Sequence, residues 1–288
     1  MMSNVKETFL RAVNKLFPPP VHPFNLQKDG VKTYAEWEFE KGLSTLQYFL
    51  DFTNLDNLFK DKVVLDIGCG AAGKTVFYAT CGVKEIYGVD KVEKYKEQAN
   101  WLAKQKGVAE KFHFVVADAA ALPFHDNAFD TIIMNDFMEH AARPQEVLQE
   151  CYRVLQPGGM LYVNSPPYYH PYGAHLSDLI GVPWVHVFFD EQTLINVYKD
   201  LAKGLSDGED RINLRFSTDK NGKPYISYIN KMTIRKFQQW IKNSPFKCVY
   251  YKEIPLRKSL SFLAKWNLTK EYFVKMLVAV LQKPVEKT

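Results

Sequence analysis

Val5, Phe9, Leu10, Val13, Leu16 and Phe17 recur at helical spacing between Lys and Arg residues, so the chain opens on an amphipathic helix rather than on a leader sequence. Pro18, Pro19 and Pro20 end that helix and start an extended linker, because proline lacks an amide donor and fixes φ. A second helix is predicted in YAEWEFEKGLSTLQYFLDF, with Trp37, Leu43, Leu46, Phe49 and Leu50 on one side, packing on a sheet or roofing a binding site. From about residue 60 the pattern changes. VVLDI (63–67), IYGVD (86–90), FHFVVA (112–117), TIIMN (131–135) and MLYVNS (160–165) read as strands, each too short for a helix and rich in β-branched or aromatic residues. Helices are expected between them from near Lys74, near Val92 and near Pro144, the last ending at LQPGG. Short apolar runs alternating with helices predict an α/β fold with a parallel sheet covered on both faces.

Beyond the fifth strand the alternation stops. PPYYHPYGAHLSDLIGVPWVHVFFDEQTL is rich in Pro, Gly, His and aromatics, and RINLRFSTDKNGKPYISYIN reads as a hairpin turning at Asn221 and Gly222. The chain then returns to a helix from about Thr233 to Lys242, a strand in FKCVYYKEI and an apolar stretch, VKMLVAVLQK. As a strand MLVAVLQ would complete the sheet; as a basic amphipathic helix it would lie on a membrane surface. Val-rich alternation before a Lys–Pro stop favours the strand. The expected organisation is an N-terminal helical cap (1–59), a sheet core (60–165), a lid insertion over the carboxyl edge of the sheet (166–230) and a C-terminal segment that completes the sheet (231–288).

Composition narrows this picture. Of 288 residues, 47% are apolar and 24% charged, which excludes wholesale disorder. Twenty Phe and sixteen Tyr, concentrated towards the second half, suit either aromatic core packing or a pocket for an apolar or ring-bearing molecule. A net charge of +5, with Lys and Arg mixed among acids, provides no coherent face for nucleic acid, and none is expected as a partner. Cys69, Cys81, Cys151 and Cys248 are scattered without a CxxC pair, so neither a disulfide framework nor a zinc knuckle is indicated and a reducing cytoplasm fits. No apolar run is long enough to span a bilayer, and a soluble chain is expected.

The strongest chemical signal is VVLDIGCGAAGK, a strand running into Gly68, Gly70 and Gly73 and then a helix. Glycine is needed where the backbone turns sharply or where a ligand must approach the main chain. A lone G-x-G-x-x-G is also the dinucleotide fingerprint. Asp90 closes the next strand about 20 residues after Gly70, the spacing at which a carboxylate meets ribose hydroxyls. Asp66 ahead of the first glycine, ADAAALPF after the third strand and VLQPGGML before the fifth separate the possibilities.

With those motifs in that order, residues 60–165 resemble the class I S-adenosylmethionine-dependent methyltransferases, in the group with a methyltransferase type 11 domain. The resemblance implies a Rossmann-like, seven-stranded, mostly parallel sheet, with S-adenosyl-L-methionine as cofactor. It implies that Asp66 and the Gly68, Cys69 and Gly70 backbone face the methionine part, and that Asp90, with Lys91 beside it, meets the ribose. Asp118 would meet the adenine amino group, Ala119 would supply backbone contact, and Asn135 would lie near the sulfonium. Ala72 stands where the family usually has a third glycine, with Gly73 one place later.

The implied reaction is methyl transfer to a nucleophile on a small molecule, lipid or sugar, with oxygen favoured over nitrogen or carbon. Candidate bases are His140, in the pair Glu139–His140, and His170, His175 and His186 in the insertion, because imidazole titrates close to neutral pH. Tyr168, Tyr169, Tyr172 and Trp184 are the candidate substrate contacts. The insertion histidines with Asp178 match no standard ligand spacing, so no metal is expected. Competing readings are a nicotinamide-dependent oxidoreductase, an RNA or protein methyltransferase, and an idle relative kept as an interaction module. Peripheral membrane contact is a minor expectation, prompted by the amphipathic N-terminal helix and the basic C-terminal third.

Overall fold

The computed structural model describes residues 2–285. In chain order the first elements are α1 (Met2–Asn14), α2 (Pro23–Lys28), α3 (Tyr34–Leu46), α4 (Leu55–Phe59), β1 (Val63–Ile67), α5 (Gly73–Ala79), β2 (Glu85–Asp90), α6 (Tyr95–Gln105) and β3 (Phe112–Val116). There follow β4 (Phe129–Asn135), α7 (Pro144–Val154), β5 (Leu155–Ser165), α8 (Val185–Phe188), α9 (Glu191–Ala202), α10 (Gly208–Arg215), β6 (Phe216–Thr218) and β7 (Pro224–Ile226). The chain continues through α11 (Ile234–Lys242), β8 (Lys247–Pro255), α12 (Ser261–Lys265), α13 (Lys270–Phe273) and β9 (Val274–Gln282). Among the described residues, no helix is long and apolar enough to cross a membrane.

Two compact units divide these elements. The sheet unit comprises residues 33–165, 234–254 and those from Met276 onward. Its seven strands run in the order β3-β2-β1-β4-β5-β9-β8, with β1 to β5 parallel and β9 antiparallel to β5. Parallel strands buried on both faces must be apolar almost throughout, which is why VVLDI and TIIMN carry so few polar residues. Strand order reverses between β1 and β4, so the loops after their carboxyl ends diverge to opposite faces and leave a crevice, the usual ligand position in such sheets. The core of this unit, including Val64, Ile86, Ile133, Val278 and Val280, lies on the sheet beneath α3, α5 and α6.

The helical unit comprises the residues up to Lys32, Pro166–Thr233 and Pro255–Lys275. It has its own core of Leu10, Ile180, Leu194, Val197, Tyr198 and Ile226. Asn14 joins α1 to the insertion, accepting from the Gly181 N–H at 2.9 Å and donating to the Leu179 carbonyl at 2.9 Å. Beneath this core Asp178 is fully buried, paired with Arg211 at 3.1 Å and Arg215 at 3.0 Å, and accepts the Tyr198 hydroxyl at 2.7 Å.

The expected strands are all present, and MLVAVLQ is the strand β9. Other expectations need correction. The linker after Pro20 contains α2, the insertion carries three helices, α8, α9 and α10, beyond residue 184, and the hairpin begins only at Phe216. Arg211 and Arg215 lie in the segment expected to be a hairpin, but one helical turn apart they reach the same buried aspartate, and that pairing favours helix over strand. The buried face of α3 is also different. Ala35, Glu38, Gly42 and Leu46 face inward, whereas Leu43 and Leu50 are exposed, because close packing on α5 selects small side chains rather than the most apolar ones. The compact units cut across the expected segments: α3 joins the sheet, and α1 and α2 join the insertion.

Candidate functional site

Beyond β1 the chain turns through Gly68 at φ +70° and Gly70 at φ +55°, values that favour glycine. The Gly68 and Cys69 N–H groups both donate to the Val89 carbonyl, at 2.8 and 3.1 Å, tying the loop to β2. A Cβ on Gly68 would lie 2.2 Å from the Phe137 ring. Gly70 donates its N–H to Asp90 Oδ2 at 2.9 Å, and the other carboxylate oxygen accepts from Val92 at 2.9 Å. Ala72 occupies the left-handed region at φ +58°, the conformation a glycine would take more readily, just before α5 begins at Gly73. At Gly73 a Cβ would fall 1.9 Å from the Ala35 carbonyl oxygen, so the α3 backbone lies directly against the loop.

That contact brings in an acid unnoticed in the sequence. Glu38, on α3, is buried and accepts the Gly73 N–H at 3.2 Å, and its burial pushes its pKa up to about 8. Asp66, also buried, accepts the Thr75 hydroxyl at 2.6 Å and is raised by burial to about 6. Burial raises Asp90 as well, against the backbone hydrogen bonds that favour its charged form. Lys74 lies among them, 3.3 Å from Asp136; burial works against its charge, but Asp136 and Glu38 outweigh it and the net shift is upward. Three carboxyl groups with raised pKa around one lysine make an environment that a bound cation would relieve.

Further along the sheet edge, Asp118 accepts the Ala120 N–H at 2.9 Å and pairs with Arg143 at 2.8 Å and Lys91 at 3.1 Å. The Ala120 N–H, with both cations, holds its carboxyl below the usual range. Ala119 beside it is buried. Asn135, at the end of β4, is buried; it donates to the Tyr78 hydroxyl at 2.9 Å and accepts from Asn164 at 2.6 Å. Cys69 is buried, and burial raises its thiol well above the ordinary value, so it is no nucleophile.

After β4, Glu139 is buried, and burial, then the nearby Asp136, raises it to about 8. Its Oε2 accepts the Ser165 hydroxyl, and its Oε1, without a hydrogen-bond partner, lies 3.7 Å from His140 Nε2. His140 thus belongs to the sheet unit, whereas His170, His175 and His186 belong to the helical unit. There His170 Nδ1 accepts the Tyr172 N–H at 3.1 Å, and the His175 carbonyl accepts from Arg215 at 3.1 Å. His186 is half-buried, and burial lowers its pKa to about 4 against a hydrogen bond with the Tyr168 backbone. Its ring lies 4.7 Å from that of Tyr168, which packs in turn on Tyr169 at 5.1 Å. Trp184 packs at 6.1 Å on Phe273. Asp178, grouped with these histidines in the sequence, is committed to Arg211 and Arg215 instead.

Glu38, Lys74, Phe137 and Arg143 are the site residues that motif reading missed. The helical period of α3 was the available signal for Glu38, since it places Ala35, Glu38 and Gly42 on one stripe.

Residues 65–163 match the family described as "Methyltransferase domain". The chain carries a class I methyltransferase domain. Over 99 residues it is 32% identical to a sterol 24-C-methyltransferase of Pneumocystis carinii, covering 34% of this chain and 26% of that protein. Over 104 residues it is 32% identical to a probable chloroplastic tocopherol O-methyltransferase of Oryza sativa, covering 36% of this chain and 29% of that one. The chain therefore spans less than a third of the length of these curated relatives. Among solved structures, geranyl diphosphate methyltransferase in complex with S-adenosylmethionine superposes with a TM-score of 0.53 at 12% identity, covering 85% of each chain, a likeness of fold. S-adenosylmethionine is the cofactor this methyltransferase domain fits: the left-handed glycines open the main chain after β1, and the acids around Lys74 suit its cationic end.

Proposed function

We propose that the protein transfers the methyl group of S-adenosylmethionine to a nucleophile on a lipophilic small molecule. The observation that carries this reading is the loop after β1, held open by Gly68 and Gly70 and backed by Asp90, Asp66 and Glu38. When bound, the cofactor supplies a methyl group already made electrophilic by its sulfonium. The chain's own part is to bind, orient and exclude water, and positioning of this kind accounts for much of the acceleration in such reactions.

We assign the ribose hydroxyls to Asp90, which can accept them while still holding Gly70 because each carboxylate oxygen has two lone pairs. Asp118, fixed by Lys91 and Arg143, is the acid we assign to the adenine amino group. Glu38, reaching the loop from α3, orients the N-terminal end of α5 through Gly73. Asn135 is fixed by Tyr78 and Asn164 at the end of β4, where the methionine part would pass. His140 is the base we favour, with the Glu139 carboxyl 3.7 Å away. A base in that position supports an acceptor that loses a proton on methylation, and a hydroxyl oxygen is the simplest such group.

The names of the relatives, sterol and tocopherol methyltransferases, support a lipophilic acceptor, as do the aromatic residues Tyr168, Tyr169, Tyr172 and Trp184 that we assign to substrate contact. Transfer of labelled methyl from S-adenosylmethionine into a lipid and metabolite extract tests the reading, with Asp90→Ala as the control. Label in an organic-soluble product, absent with Asp90→Ala, is the expected result. Equilibrium binding of NADH with none of S-adenosylhomocysteine would replace the reading with an oxidoreductase.

A further inference from the structure

The helical unit carries apolar surface that its own core does not use. On α1, Phe9 is 61% exposed and Val5 69% exposed. With Val13 and Phe17 they form one wall of a groove of about 640 Å³, and Val182, Pro183, Trp184, Phe188 and Phe189 form the other. Phe188 is 73% exposed. The Trp184 ring on that wall packs on Phe273, at the end of α13, and α13 follows directly on a second exposed segment, Arg257–Leu268. There Phe262 is 64%, Trp266 59% and Leu268 77% exposed. Exposed large apolar residues are ordinary when scattered; gathered on adjoining segments of one unit they mark a contact surface.

The charge around them identifies the contact. Between Glu253 and Glu271 the chain carries Arg257, Lys258, Lys265 and Lys270 and no acid. Arg257, Lys258 and Lys265 are exposed and interleave with Phe262 and Trp266. Tryptophan and phenylalanine beside solvent-facing lysine and arginine match the layering of a bilayer interface, where rings enter the boundary and cations meet anionic headgroups. A second copy of this chain seated symmetrically would set these cations against one another.

We infer that the helical unit docks on an anionic lipid surface through Phe262, Trp266 and Leu268, with Arg257, Lys258 and Lys265 on the headgroups and the groove beside α1 turned to the same interface. This goes beyond methyl transfer and needs no cofactor, so it stands or falls separately from that reading.

Sedimentation of the full chain with vesicles tests it, comparing phosphatidylcholine alone with phosphatidylcholine containing phosphatidylserine, at low and high salt. The chain is expected to pellet with the anionic vesicles at low salt, to leave them at high salt and to ignore the neutral ones. Phe262→Ala with Trp266→Ala is expected to abolish pelleting at an unchanged thermal midpoint, since both side chains are exposed. Lys258→Gln and Lys265→Gln are each expected to weaken binding about fivefold. A chain that stays in the supernatant with anionic vesicles, or a double variant that pellets like the parent, overturns the proposal. So does a dimer, seen by sedimentation velocity without lipid, that the double variant loses, because the occupant is then a second copy.

Discussion

The Gly70 amide donates to Asp90 Oδ2 at 2.9 Å, so the acid that closes β2 also shapes the loop that leaves β1. Binding and loop geometry are therefore carried by one side chain. Asp90→Ala removes both a charged acceptor and the anchor of Gly70. Its affinity for S-adenosylhomocysteine is expected to fall about a hundredfold, from one or two charge-assisted hydrogen bonds of roughly 1.5–3 kcal/mol. Isothermal titration calorimetry reads this directly, and wild-type affinity in the variant would remove Asp90 from the site.

Gly73 tests the packing of α3 on the loop. Its added Cβ meets backbone, the Ala35 carbonyl oxygen, and cannot be relieved by a rotamer change. Gly73→Ala is expected to cost roughly 1–3 kcal/mol by the ordinary penalty for overpacking, or more if α3 separates. Gly42→Ala, whose Cβ meets the Phe77 ring and its Cβ at 2.7 Å, is expected to cost less because it meets a single side chain rather than main chain. Denaturant midpoints should rank the two in that order.

Glu38 makes stability depend on pH with a definite sign. Its pKa is about 8 in the fold against 4.5 ordinarily, so between those values the folded protein keeps a proton that the unfolded chain has lost. Stability therefore falls as pH rises towards 8, and Glu139 acts in the same direction. His22 and His186, lowered to about 4, oppose the trend only below their ordinary 6.5. In the window from 6.5 to 8 the thermal midpoint should thus decline. Glu38→Gln should flatten that decline and raise the midpoint at the alkaline end by on the order of 1 kcal/mol, or roughly 2–4 °C. An unchanged slope in scanning fluorimetry would show that Glu38 is ionised throughout.

In the helical unit, Asp178 pairs with both Arg211 and Arg215, each only 2% exposed, and Asp207 is the second acid on Arg211. Asp178→Ala leaves buried Arg215 without an acid and the Tyr198 hydroxyl without its acceptor, while Arg211 keeps Asp207, and should destabilise the unit by about 3–5 kcal/mol. Chemical denaturation should show the loss.

His140 is the base to test in turnover. Replacing it with Ala should leave S-adenosylhomocysteine affinity unchanged and lower kcat by about 10²- to 10⁴-fold, the usual contribution of a positioned base. An equal loss on replacing His186 instead would move proton removal to the helical unit.

Legibility in the sequence followed the range of the interactions. VVLDI, the Gly68–Gly70 turn and Asp90 were readable because a buried parallel strand, a left-handed turn and the acid at the end of the next strand lie within one βαβ unit. The five core strands and β9 were readable for the same reason, as runs long enough to show burial on both faces. The role of Glu38 was not: an acid on a helix ordinarily faces water, and only the approach of α3 to Gly73 turns it inward. Likewise α1 looks like a cap on the sheet until Asn14 is seen bonded to Leu179 and Gly181, more than 160 positions away. The sequence by itself determined the strands and the turn, since local sterics and periodicity set them, and its ordered motifs carried the resemblance that implied the cofactor. Tertiary structure alone decided which acids are buried, which arginines are paired and which helices share a core, because each depends on partners that chain order does not bring together.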